Sequence, residues 1–195
     1  MSYTLTFSHI GIYVADIARM LDFYTRFLGF AVADRGPNPN GEIVFLTRDP
    51  REHHQFVLVS GRPADLQFNI VNQISFRVDS LATLKELHQG LKNEAVTEIT
   101  TLTHGNALSC YFRDPERNRV ELLIDTPWYV PQPHRLLVDL SLPDDQLWAT
   151  VEEHVRATPG FKPQAEWKAD IERKIAAAGA ARRTAAARQP ELAKG

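Results

Sequence analysis

One unit of strand and helix occurs twice in this chain. Between Phe7 and Asp16, Ile10, Ile12 and Val14 alternate with His9, Gly11 and Tyr13, the period of a strand with one buried face. Ile17, Met20, Leu21, Tyr24, Phe27 and Leu28 then share one helical face, and Gly29 stops the helix. The second copy begins with the alternating stretch Val71–Val78. Ser80 follows as N-cap, and Leu81, Leu84, Leu87 and Leu91 form the apolar stripe. Ile10 matches Ile74 and Val14 matches Val78, an offset of 64 that superimposes His9 on Gln73. An Arg-Asp-Pro turn recurs as well. Arg48–Pro50 precedes the apolar strand Gln55–Val59, and Arg113–Pro115 precedes Val120–Ile124. In that register the offset is 65, and Phe56 falls on Glu121.

Each repeat reads as a strand, a helix and three further strands. The first continues with strands near Phe30–Ala33, Glu42–Thr47 and Gln55–Val59, the second with Val96–Thr100, Ala107–Phe112 and Arg119–Ile124. The expectation is an α+β fold of two βαβββ modules, about 5–61 and 70–128, forming a half-barrel within a domain of residues 1–128. Residues 129–195 form a helical extension. Pro143–Ala157 and the Ala-rich 164–189 have helical character, and roughly the last fifteen residues are expected to be frayed or disordered.

Composition narrows the functions. A net charge of -2 gives no case for nucleic acid or an anionic membrane as partner. No apolar run approaches the ~20 residues of a spanning helix. The single cysteine, Cys110, lies within a strand and excludes an intrachain disulfide framework, which suits a reducing cytoplasm.

The repeat also locates candidate chemistry. A sheet built from two such units brings His9 and Gln73 together across a pseudo-two-fold axis, and Glu121 on the last strand of the second unit can join them. Imidazole, amide and carboxylate converging in a half-barrel form a plausible divalent metal site. A carboxylate in an apolar strand needs a partner in any case. His88, His134 and His154 belong to no visible constellation, and His53 is expected to point away into solvent.

His9-Ile-Gly-Ile-Tyr-Val-Ala-Asp16, Leu21-Asp-Phe-Tyr-Thr-Arg-Phe-Leu-Gly-Phe30 and Asp114-Pro-Glu-Arg-Asn-Arg-Val-Glu-Leu122 resemble the vicinal oxygen chelate superfamily. That resemblance implies two βαβββ modules closing a metal-centred cup. Glu52-His-His-Gln-Phe-Val-Leu58, Thr103-His-Gly-Asn106 and Ser109-Cys-Tyr-Phe112 are similar to segments of the type I extradiol dioxygenases, which cleave catechol rings. On that alignment His9 and Glu121 match metal ligands, with Gln73 in the third place. His54 matches the acid/base histidine. His104 and Tyr111 match groups that touch the substrate oxygens, and Asn106 and Phe56 are candidate substrate contacts. The implied cofactor is Fe2+, with Mn2+ or another divalent ion as the alternative. The implied partners are a small aromatic substrate and dioxygen, and a homo-oligomer is expected. Gln73 departs from the family's second histidine and Arg117 from its usual glycine. Glyoxalases of the superfamily use glutamine ligands, so a glyoxalase-like lyase or isomerase is the alternative activity. Phe56 opposes it, because it occupies the place of their fourth, acidic ligand. A metal-free binding protein of the same fold is the third reading.

Overall fold

The structure, a computed structural model, describes residues 5–66 and 68–187. The fold is α+β and contains two βαβββ modules. In the first, β1 (Ile10–Val14) leads into α1 (Ile17–Asp22), and β2 (Ala31–Asn38), β3 (Gly41–Thr47) and β4 (Phe56–Ser60) follow. The sheet order is β1-β4-β3-β2, with β1 parallel to β4. The second module repeats this with β5 (Ile74–Arg77), α2 (Leu81–Gly90), β6 (Thr97–Thr103), β7 (Ala107–Arg113) and β8 (Arg119–Asp125). Its sheet runs β5-β8-β7-β6, with β5 parallel to β8.

Alternation sorts each strand into two faces. Ile12 and Val14, Val44 and Leu46, Phe56 and Leu58 are buried against the first helix; Val120, Leu122 and Ile124 are buried in the second module. The first helix departs from a plain 3.6-residue stripe. After Asp22 it widens into a π-helical turn over Phe23–Phe27. The wider turn lets the consecutive residues Phe23 and Tyr24 both bury, at 2% and 0% exposure. Asp16 caps the helix by accepting from the Arg19 amide.

The modules are stitched together by the Asp114–Asn118 turn. Tyr24 donates its hydroxyl to Asp114 across 3.1 Å. Glu116 accepts from the amides of Ala15 and Asp16 at the end of β1, and Arg62 donates to the Glu116 carbonyl. Arg117 adopts a φ of 67° where the family turn commonly has glycine, a left-handed conformation that costs a side chain about 1 kcal/mol. Apolar contact completes the joint: Phe76 of β5 packs edge-on against Tyr24, Phe30 and Phe56.

The C-terminal part is tied into the second module. β9 (Trp128–Tyr129) follows β8, and β10 (Leu136–Leu137) pairs with β6, adding a fifth strand to that sheet. α3 (Asp144–Ala157) buries Leu147, Val151 and Val155. β11 (Lys162–Pro163) pairs with β9 and starts α4 (Gln164–Ala187). The helix thus continues to Ala187, through about half of the stretch expected to be frayed, because alanine favours helix even without a stripe to bury. The remainder of that expectation, 188–195, lies outside the described residues. Among the described residues no helix is long and apolar enough to cross a membrane.

Candidate functional site

On the second module the face opposite the helix carries oxygen. Glu121 sits across from Ser75 in the β5–β8 ladder and from Tyr111 in the β7–β8 ladder. Glu121 is 4% exposed, a placement in which its carboxylate requires hydrogen-bond donors. Ser109 Oγ donates to one oxygen across 2.7 Å. Ser75 Oγ at 2.5 Å and Gln73 Nε2 at 3.0 Å donate to the other. Gln73 therefore enters as a donor, and its amide oxygen accepts no hydrogen bond among the described residues.

Tyr111 extends this line to His104. Burial first, then hydrogen bonding to the neighbouring Glu121 and its charge, hold the phenol above its ordinary pKa and keep it protonated. Its hydroxyl lies 2.9 Å from His104 Nε2, and His104 Nδ1 lies 2.7 Å from the His134 carbonyl. A carbonyl can only accept, so neutral His104 carries its proton on Nδ1 and Nε2 accepts from Tyr111. The loop is shaped for this: Gly105 has a φ of 82°, and a Cβ there would meet Val130 at 2.4 Å.

The first module presents a histidine chain. The His9 and His54 rings lie 4.2 Å apart. His54 Nδ1 is 2.9 Å from His53 Nδ1, and His53 Nε2 is 2.8 Å from Asp34. Ionised Asp34 accepts the Nε2 proton of His53. Neutral His53 then has only a lone pair at Nδ1, so His54 donates there and its own Nε2 is left as a base. Burial, then the His9 and His53 charges, lower the His54 pKa. Phe45 packs edge-on against His54 at 5.1 Å. Among the described residues no hydrogen bond or ring contact joins His9 and His54 to Gln73 and Glu121, and no three His, Cys, Asp or Glu side chains form a metal-ready group.

Several positions differ from the sequence expectation. Phe56 is not a substrate contact: it is fully buried with Tyr24 at 4.6 Å and Phe30 at 6.2 Å. Nor is it the counterpart of Glu121. Ile10 pairs with Phe56 as Ile74 pairs with Val120, so the ladders keep the offset of 64 and place Val57 where Glu121 stands. The first Arg-Asp-Pro turn is one residue longer, which displaced the sequence register. Asn106 lines a pocket with Arg77, Asp125, Trp128, Tyr129 and Trp167, and neither His104 nor Tyr111 lines it. His53 is bonded rather than merely solvated. His134 and His154 form a pair, Nε2 to Nε2 at 3.1 Å. Asp34 was missed because nothing in the sequence connects it with a histidine 19 residues later.

By the chemistry of their donor atoms, His9, Gln73 and Glu121 would suit a divalent ion. An imidazole nitrogen with amide and carboxylate oxygens suits first-row metals and Mg-like ions alike. Three donors occupy three of the about four lone-pair positions of the Glu121 carboxylate, and turning the Gln73 amide would free another.

A family model described as the Glyoxalase/Bleomycin resistance protein/Dioxygenase superfamily matches residues 6–122. The chain is 28% identical over 130 residues to biphenyl-2,3-diol 1,2-dioxygenase 2 of Rhodococcus globerulus. That match covers 64% of this chain and 65% of the relative, so it spans less than two thirds of that protein. Among solved structures, a glyoxylase/bleomycin resistance protein/dioxygenase domain from Frankia sp. EAN1pec superimposes with a TM-score of 0.54 at 22% identity, covering 64% of this chain and 94% of that one. The fosfomycin resistance protein of Listeria monocytogenes, complexed with Mn(II) and sulfate, gives 0.50 at 21% identity, covering 65% and 95%. Both likenesses are of fold.

Proposed function

The chain belongs to the glyoxalase/bleomycin resistance protein/dioxygenase superfamily, and we propose that within it the protein is an extradiol-type dioxygenase that opens the ring of a catecholic compound. The observation that carries this reading is the line Gln73–Glu121–Tyr111–His104 on one module, matched by the base His54 beside His9 on the other. The 28% identity to a biphenyl-diol dioxygenase supports it.

His9, Gln73 and Glu121 would hold the ion, Fe2+ first and Mn2+ second. Bound there, a divalent ion supplies Lewis acidity and a common anchor for two vicinal oxygens. His54, its Nε2 free, takes a phenolic proton and returns it. Asp34 and His53 fix the ring that does so. Tyr111 has one proton, which His104 Nε2 holds in the absence of substrate; with substrate bound the hydroxyl turns that proton toward the substrate oxygen. The substrate is a small aromatic compound, the co-substrate dioxygen, and the protein acts as a cytoplasmic homo-oligomer. Gln73 favours the second reading, a glyoxalase-like lyase, but Val57 removes the acid which that chemistry places in the first module.

The test is to mix anaerobically iron-loaded protein with catechol and 2,3-dihydroxybiphenyl in air. A yellow ring-opened product with stoichiometric oxygen uptake is expected. Turnover of a thiol adduct under argon, with no oxygen uptake on any catechol, would replace this reading with the second.

A further inference from the structure

Beside Tyr111 the sheet opens into a pocket of about 220 Å³, lined by Glu98, Thr100, Leu102, Tyr111, Phe112, Arg113, Arg119 and Arg135. Three guanidiniums face one carboxylate. Arg113 is paired with Glu98 at 2.9 Å, and Arg117 approaches the same carboxylate at 3.7 Å. Glu98 is thereby committed. Neither Arg119 nor Arg135 makes an ion pair or side-chain hydrogen bond among the described residues. Arg119 is half-buried, with its guanidinium 4.5 Å from the centre of the Tyr111 ring. That contact orients the group but leaves its five N–H donors open. Arg119 stands two residues from Glu121 on one strand face, about 7 Å along β8. Arg135 approaches from the segment that β10 anchors to β6.

We propose that this pocket is an anion subsite, in which Arg119 and Arg135 bind a carboxylate carried by the substrate. Planar guanidiniums match a carboxylate in a bidentate fork, and the one acid of the pocket, Glu98, is already paired with Arg113, which leaves Arg119 and Arg135 open to an incoming anion. The volume suits a carboxylate on a short side chain and not a polyanion. The substrate class then narrows to aromatic acids. This rests on the reading of Tyr111 as a group that touches substrate.

Two matched pairs test it by calorimetry under argon on the metal-loaded protein. The first is 3,4-dihydroxyphenylacetate against 4-ethylcatechol; the second is phenylacetate against phenylacetamide. Within each pair the charged member is expected to bind about tenfold tighter, the size of one good charge-assisted contact. Arg119→Ala and Arg135→Ala should each shrink the preference of the charged member over the neutral one. Arg119→Lys should restore part of it. Should Arg119→Ala unfold, Arg135→Ala, an exposed position, still decides. An arginine-dependent preference in the phenylacetate pair alone keeps the subsite and removes the catechol as the group that sits beside it. Equal affinities within both pairs, or a preference that survives both alanine variants, overturn the subsite even for an active dioxygenase.

Discussion

The two modules use one backbone plan and differ mainly in oxygen. Where the second has Ser75, Glu121, Tyr111 and Ser109, the paired strands of the first have Gly11, Val57, Phe45 and Ile43. Phe45 steadies His54 through a ring edge, whereas Tyr111 steadies His104 through both a ring edge and a hydrogen bond. Duplication thus fixes where side chains point, and substitution decides which half carries charge. The polar half sustains a buried carboxylate because both oxygens of Glu121 find donors. The apolar half could not hold one at Val57, whose partners across the two ladders, Gly11 and Phe45, carry no hydroxyl.

The buried side of the first module offers the largest break. Phe56→Ala removes the ring on which Tyr24, Phe30 and Phe76 converge, and should cost about 3–5 kcal/mol in urea unfolding. A loss under 1 kcal/mol with impaired ligand binding would return Phe56 to the site. Next comes Tyr111→Phe, which gives the second module the residue of the first. Removing one positioned donor should lower kcat about 10²-fold with little change in KM, read in steady-state oxygen uptake. An unchanged kcat would mean that Tyr111 merely packs. Ser109→Ala takes one donor from Glu121 and should cost about 1.5–3 kcal/mol by the same unfolding assay, since the bond is to a charged group.

The smallest effect compares two aspartates in the equivalent Arg-Asp-Pro turns. Arg51 lowers Asp49 to about 2, whereas burial raises Asp114 against the pull of Asn118, Glu116 and Tyr24. Asp49 therefore contributes stability above its unfolded value near 3.9, lost as pH falls through about 2. Asp114 behaves oppositely: its contribution is complete below the unfolded value and is lost as pH rises through the folded one. Carboxyl carbon NMR should show the two midpoints on opposite sides of 3.9. Coincident midpoints would deny the difference in environment.

The fold was legible because alternation and helical stripes are local signals, repeated at a fixed offset. The π-helical turn was not, since the pattern of Tyr24 and Phe27 fits a plain helix until Phe23 also has to bury. Register failed at Phe56 because a turn motif was used as a ruler across a one-residue insertion. Among the candidate residues, Gln73 was legible as the repeat-mate of His9, and Glu121 as a carboxylate in an apolar strand that needs partners. His54, His104 and Tyr111 followed only from resemblance, and the Asp34–His53 contact depends on a bulge between Val32 and Asp34 that no local pattern announces.

The central claim is that both modules contribute to one metal site. Titrating Fe2+ anaerobically into the wild type, His9→Ala, Glu121→Ala, Gln73→Ala and Gln73→His tests it, with circular dichroism to verify folding. The account predicts about one ion per wild-type chain. It predicts loss in His9→Ala and Glu121→Ala, weaker retention in Gln73→Ala and tighter binding in Gln73→His, because imidazole binds late first-row metals better than an amide. Iron binding that is unaffected by His9→Ala and Glu121→Ala, or a wild type that takes up no divalent ion, would contradict it.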